Sequence, residues 1–265
     1  MPLLRHYMDH RLSNGAIIVE TKAGNNREAF TVGLNSVTTF ETVAYMPEFQ
    51  SEYGIGWAGA YDNIENTNWG PRFDGQLRQI GPTFPEGYPI DTQMVPYAPI
   101  QDNLKDFYDT GITSQNTVYL NGGDEQSSFR LSLGDLRTKG IVPDDEYRKN
   151  SFNVSASHKL GALELQATVN YFTDKTNVVG SRIGDQDRPL YWFVLNTPAN
   201  IPLSTYRDWE NPNSYAYADN YFNAYYQNPY WAIGTNRDND QRNGLFGTLT
   251  ADYEINEWLS FTGSA

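Results

Sequence analysis

Few side chains in the 265-residue chain are suited to covalent chemistry. There is no cysteine, which excludes disulfides and thiolate metal sites. The histidines are His6, His10 and His158. His6 and His10 stand one helical turn apart, but Tyr7 occupies the place where a zinc protease needs glutamate, and no third ligand is evident. A solvated or packed pair is expected. A nucleophile–histidine–acid arrangement needs a histidine that reaches a serine. His158 instead continues the apolar parity of Phe152, Val154 and Ala156 beside a turn, which reads as an interfacial side chain. Asp144, Asp145 and Glu146, or Asp185 and Asp187, have the chemistry for a glycosidase or a calcium site. Neither group follows the spaced calcium-loop pattern, so solvated acidic loops are expected. These residues yield no catalytic constellation, cofactor motif or metal ligand set.

Aromatic side chains offer more. Between residues 176 and 240 stand Trp192, Trp209, Tyr215, Tyr217, Tyr221, Tyr225, Tyr226 and Trp231. Tyr and Trp present flat faces with one polar handle, suited to stacking on sugar rings or anchoring a protein interface. These residues are therefore candidate contacts to a substrate or a partner. The cluster from Tyr215 to Trp231 divides evenly between lining a cavity and packing against a partner or neighbouring loops. Tyr253 and Trp258 lie beside a turn and fit an interfacial girdle better. Gly122-Gly-Asp-Glu125 opens like the signature loop of diguanylate cyclases, but Gln126 breaks that pattern and no α/β alternation surrounds it. A glycine-rich hairpin turn is the expectation.

The elements that would position these residues are strands. Phe129, Leu131 and Leu133 alternate with polar neighbours, as do Phe152, Val154 and Ala156. Leu163, Leu165, Ala167, Val169 and Tyr171 alternate with Glu164, Gln166, Thr168 and Asn170. Period two means one apolar and one polar face. Strands are predicted over 28–40, 113–121, 127–138, 147–158, 163–175, 242–254 and from 258 onward. Their connections alternate in kind. Those at 41–112, 139–146 and 176–241 are long or loose, and those at 122–126, 159–162 and 255–257 are tight. Outer-membrane barrels place short turns in the periplasm and long loops outside. The expected fold is thus all-β, a partial antiparallel transmembrane β-barrel. Leu163, Leu165, Ala167, Val169 and Tyr171 would face lipid, and the residues between them the lumen.

Composition agrees with this. The formal charge of -13 leaves no basic surface for nucleic acid. No run of ~18 apolar residues marks a transmembrane helix. Mean hydropathy is low at -0.61, yet only alternate residues of a barrel strand meet lipid. No secretory signal precedes the first strand, so export would require an N-terminal extension absent from this sequence.

A resemblance joins these features. Arg11-Leu-Ser-Asn-Gly15, an aliphatic strand and Thr21-Lys-Ala-Gly24 resemble the end of the plug domain in the SusC/RagA family of TonB-dependent outer-membrane transporters. Met46-Pro-Glu-Phe-Gln-Ser-Glu-Tyr-Gly54, Asn68-Trp-Gly-Pro-Arg-Phe-Asp-Gly75, Asp106-Phe-Tyr-Asp-Thr-Gly111, Lys139-Gly-Ile-Val-Pro143 and Asn228-Pro-Tyr-Trp231 read like later segments of that family. Asp9 and His10 depart from the usual Gly-Ser, and Leu12 is larger than usual. The resemblance implies that 1–25 ends a plug domain and 26–265 begins a barrel of the plugged class with 22 strands. It implies a cell outer membrane location and no enzymatic step. The partners implied are a SusD-like surface lipoprotein and, through parts absent here, the TonB-ExbB-ExbD complex. The cargo would be an oligosaccharide or peptide. The competing readings are a soluble all-β carbohydrate-binding module, whose strands would close a two-sheet sandwich, and a truncated gene product without function.

Overall fold

The computed structural model describes residues 30–265. The expected plug end at 1–25, its strand from Gly15 to Lys22, the Arg11–Gly24 motif and the His6–His10 pair lie outside the described residues. The strands are β1 (Thr31–Glu41), β2 (Leu77–Gln79), β3 (Met94–Pro96), β4 (Gly111–Gly123), β5 (Ser127–Lys139), β6 (Glu146–Leu160), β7 (Leu163–Val179), β8 (Arg237–Asn256) and β9 (Leu259–Ser264). Seven of them form one sheet in the order β1-β4-β5-β6-β7-β8-β9. Every pairing in it is antiparallel, and the register slips only between Glu254 and Asn256. Each of the seven strands predicted from residue 28 onward has its counterpart among the described residues. β2 and β3 make a separate small hairpin inside the first long connection.

The register brings the apolar residues into one block. Val118, Leu133, Phe152, Tyr171 and Leu245 form one row across neighbouring strands, and Leu120, Leu131, Val154, Val169 and Gly247 the next. Val32 and Leu34 extend these rows onto β1. Phe129, Ala156, Ala167 and Leu249 form a third row. The opposite face holds Ser132, Asn153 and Asn170 in one row, and Arg130, Ser155 and Thr168 in another. Burial is inverted relative to an ordinary core. Leu133, Leu245 and Leu249 are 53%, 73% and 55% exposed, whereas Ser128, Ser132 and Asp174 on the polar face are buried. Water-soluble sheets hide the greasy face. Here, among the described residues, no second sheet covers it, and the two-sheet sandwich expected of a soluble module is not formed.

The polar face is held by paired groups. The Arg130 guanidinium lies over the Tyr119 ring at 4.4 Å and donates to Asn121 Oδ1 at 2.9 Å. Asp174, nearly inaccessible, takes Arg242 Nε at 3.1 Å. Gly33 leaves room for the Tyr119 ring, since a Cβ there would stand 2.0 Å from it.

The strands outrun the prediction at the end that bears the long connections. β7 continues to Val179 and β8 begins at Arg237, five residues before the expected start at 242. At that end both faces are polar, from Thr173 to Asn177 and from Arg237 to Asn243, so the period-two signal disappears while the backbone pairing continues.

The two long connections also differ from the irregular loops expected of them. Residues 42–110 and 180–236 fold against each other into a cap. It contains two short helices, α1 (Leu190–Leu195) and α2 (Pro229–Thr235). Every buried hydrophobic side chain among the described residues belongs to this cap, including Ile55, Ile80, Tyr97, Phe107, Phe193, Ile201, Tyr206 and Phe222. Prolines and glycines prevent long regular elements there, and aromatic bulk supplies the buried area instead.

Candidate functional site

Asparagine side chains tie the cap together, replacing the backbone ladders that irregular chain lacks. Asn200 Oδ1 accepts from Ile55 N at 2.9 Å, and Asn68 Oδ1 from Ala199 N at 2.8 Å. Asn103 donates to Ile201 O at 2.7 Å and accepts from Leu203 N at 3.1 Å. Tyr206 and Tyr215 donate across to Gln93 Oε1 and Asp91 O, at 2.9 and 2.8 Å. Asn228 starts α2. Its Oδ1 caps Tyr230 N at 3.0 Å with proline following, and its buried Nδ2 donates to Tyr206 O and Ala216 O at 2.8 Å each.

This scaffold leaves an open cleft of about 230 Å³ on the second connection. Tyr221, Tyr225, Tyr226 and Trp231 line it together with Asp185, Gln186, Asn223 and Gln227. Its rim is braced. Gln227 accepts from Asp185 N at 3.0 Å and donates to the Asp185 carboxylate, and Gln186 donates to Tyr225 O. Asn223 Oδ1 accepts the Tyr225 and Tyr226 amides at 2.7 and 3.0 Å. Among the described residues, two buried polar atoms here have no partner in hydrogen-bond geometry, Tyr221 Oη and Asn223 Nδ2. The Tyr226 hydroxyl is near enough to Tyr221 to influence its titration, but it is itself directed to Asn196 O at 2.9 Å. Unpaired buried donors are costly unless a ligand or water meets them. Burial pushes the hydroxyls of Tyr206, Tyr221 and Tyr226 well above the ordinary tyrosine range. They stay neutral donors at any physiological pH, fit for binding and unfit for acid–base work.

The structure sorts the aromatic candidates. Tyr221 and Tyr226 are buried in the cap core, and the cleft reaches their edges. Trp192, Trp209, Tyr215 and Trp231 are half-buried against that core, with Trp192 edge-on to Phe193 and Tyr226. Tyr217 is half-buried, and Tyr225 is exposed. Tyr225 and Trp231 thus share the cleft, whereas Trp192, Trp209, Tyr215 and Tyr217 lie outside its lining. The polar members Gln186, Asn223 and Gln227 carry no sequence signal, because loop amides have no period. A second, more apolar cleft of about 240 Å³ is lined by Met46, Pro47, Phe49, Pro99, Ile100 and Leu104.

The remaining candidates have structural employment. His158 Nδ1 lies 2.8 Å from Ser127 Oγ. The nearby Asp124 Oδ1 instead accepts the Gln126 and Ser127 amides, at 2.9 and 2.6 Å, and is committed to the turn. Asp124 closes the turn from Gly123 to Ser127, as a hairpin reading of Gly122–Gln126 requires. Asp145 differs from the solvated loop expected of it. It is largely buried, accepts Val179 N at 2.8 Å and lies 2.9 Å from Arg237 Nη1. That loss of solvent, which the Val179 amide and Arg237 oppose, raises its carboxyl above the usual range. Glu146 and Asp187 pair with Arg148 and Arg182, at 3.0 and 3.2 Å. Among the described residues, no cluster of histidines and acids has the makings of a metal site.

Comparison with known proteins gives one informative likeness. The chain is 24% identical to the TonB-dependent receptor SusC of Bacteroides thetaiotaomicron, over 92% of its own length. It spans 23% of that relative's length. No family model matches. The likeness supports a TonB-dependent receptor, and an antiparallel sheet with an uncovered apolar face is the architecture such a receptor's barrel needs.

Proposed function

We propose that this chain is the plug end, 1–25, and the first part, 26–265, of the barrel of a SusC-like TonB-dependent transporter in the cell outer membrane. The observation that carries this reading is the apolar block on one face of the sheet, exposed and contiguous over β1 and β4 to β8, with polar residues on the opposite face. A membrane supplies the missing cover, and the remaining strands of a 22-stranded barrel would supply partners for the free edges of β1 and β9. The long connections then lie outside the cell, and the tight turns at 124–126, 161–162 and 257–258 in the periplasm.

In this reading the cap is the outward surface that meets cargo, an oligosaccharide or a peptide, and a SusD-like lipoprotein. Tyr225 and Trp231 offer ring faces in the cleft, while Tyr221 Oη and Asn223 Nδ2 offer unspent donors. TonB with ExbB and ExbD would supply energy through parts outside this chain. No catalytic step is assigned. The test is made on the full-length protein, by membrane fractionation and by uptake of labelled glycans or peptides in a strain lacking the gene. Co-sedimentation with outer membranes through carbonate extraction, with uptake dependent on TonB, is expected. A carbonate-soluble product would return the reading to a soluble binding module.

A further inference from the structure

The outer face of the sheet carries a charged band beyond the apolar one. Ser114, Arg137, Arg148, Lys175 and Gln241 stand side by side across β4 to β8. Each lies on the apolar side of its strand, four residues beyond Val118, Leu133, Phe152, Tyr171 and Leu245 respectively. That offset is ~13 Å along a strand, and ~10 Å in height at the usual barrel tilt.

Arg137, Arg148 and Lys175 are thus abreast on neighbouring strands, each strand ~4.8 Å from the next, and all are exposed. Like charges directly opposite one another weaken a sheet. The carboxylates on this face are Asp135, 3.0 Å from Arg137 Nε, and Glu146, 3.0 Å from Arg148 Nη2. Each lies on the same strand as the arginine it meets. Lys139 stands opposite Glu146 and adds a further cation, and Lys175 stands in its row between Arg148 and Gln241, with no carboxylate directly opposite it. The balance on this face is positive, in a chain whose formal charge is -13.

We propose that this row binds the phosphate of an anionic lipid headgroup in the leaflet around the loop-bearing end of the sheet. The proposal rests on the membrane-barrel reading above. Two features select a lipid. The cations complement a phosphate, which guanidinium groups grip with paired donors. They also continue directly from the apolar block, so one molecule would lay its acyl chains over Leu133, Phe152 and Tyr171 and its headgroup on Arg137, Arg148 and Lys175. A free anion would use only the upper half of that surface.

The experiment is native mass spectrometry of the full-length protein, delipidated in detergent and titrated with phosphatidylglycerol or phosphatidylcholine of matched acyl chains. Preferential retention of phosphatidylglycerol is expected. Replacing Arg137, Arg148 and Lys175 together by Gln should weaken it by about fivefold per cation removed, leaving phosphatidylcholine unchanged. Lys149→Gln, adjacent in sequence but on the inner face against Phe172, should change neither. Equal retention of the two lipids, or an equal loss in Lys149→Gln, would overturn the proposal. So would displacement of the lipid by millimolar inorganic phosphate. Insertion of the same preparation into liposomes separates the two readings. A protein that fails to insert defeats the membrane reading itself, whereas an inserted protein without the preference defeats only the lipid site.

Discussion

An arginine placed on the apolar face should report its depth in the bilayer. On β8 that face runs Leu245, Gly247, Leu249, Ala251 and Tyr253. The run covers ~27 Å of strand, or ~19–22 Å of height at a tilt of 35–45°, close to the ~25 Å apolar band of outer-membrane barrels. Leu249 is its midpoint and is 55% exposed. Leu249→Arg should therefore cost about 2–4 kcal/mol, and Tyr253→Arg at the rim about 0–1 kcal/mol. On β7 the run from Leu163 to Tyr171 is centred on Ala167, and Leu165, expected to face lipid, lies in the row of His158 and Ala251. Leu165→Arg should fall between the other two. Thr250→Arg, on the inner face, should be mild. Equilibrium urea titration of the full-length protein folding into liposomes, followed by tryptophan fluorescence, measures all four. A series without this gradient, or a Thr250→Arg cost matching Leu249→Arg, would refute the orientation.

Asn228→Ala removes a helix cap and two buried hydrogen bonds, and should destabilise the cap by about 2–4 kcal/mol, read as faster native-state proteolysis. Asp145→Ala strands the largely buried Arg237 and should cost about 3 kcal/mol in the same assay, unless Arg237 is also replaced. Tyr221→Phe removes a buried hydroxyl that, among the described residues, has no partner in hydrogen-bond geometry. It should stabilise the free cap by about 1 kcal/mol while weakening cargo binding, whereas unchanged binding would remove Tyr221 from the site. The Gln126 and Ser127 amides hold the Asp124 carboxyl below its usual range, so its support of the turn is complete above the ordinary carboxylate value and is lost as pH falls through the lowered one. Exchange protection of those two amides should drop in that acid window, and Asp124→Ala should lack the step.

How much the sequence discloses depends on whether a residue sits in a periodic element. Leu163 to Tyr171 alternate because one face of the sheet is apolar and the other polar, and β7 is legible for that reason. Thr173 to Asn177 belong to the same strand but are polar on both faces, so pairing there leaves no pattern. The cap is harder still. Tyr221 and Tyr225 read alike in sequence, yet one is 7% exposed and the other 49%, because contacts from distant chain decide burial in irregular segments. Asn-Pro at 228–229 carries the chemistry of a helix start, which an all-β reading passes over, and α2 begins there. Asn103 and Asn200 have no such cue, since their partners lie about a hundred residues or more away.

Those partners bear on the order of assembly. The bonds from Asn200 to Ile55, from Asn68 to Ala199 and from Asn103 to Ile201 close spans of 145, 131 and 98 residues. The hairpins between β4 and β7 close through turns of a few residues and meet no such entropic barrier. The strands should therefore zip together first, while the first connection stays open until β7 and its following segment have emerged. For that interval Ile55, Tyr97 and Phe107 have nothing to pack against. A nascent chain would be most vulnerable to proteases and to self-association at its unfinished roof, and closure of the cap would mark the end of that window.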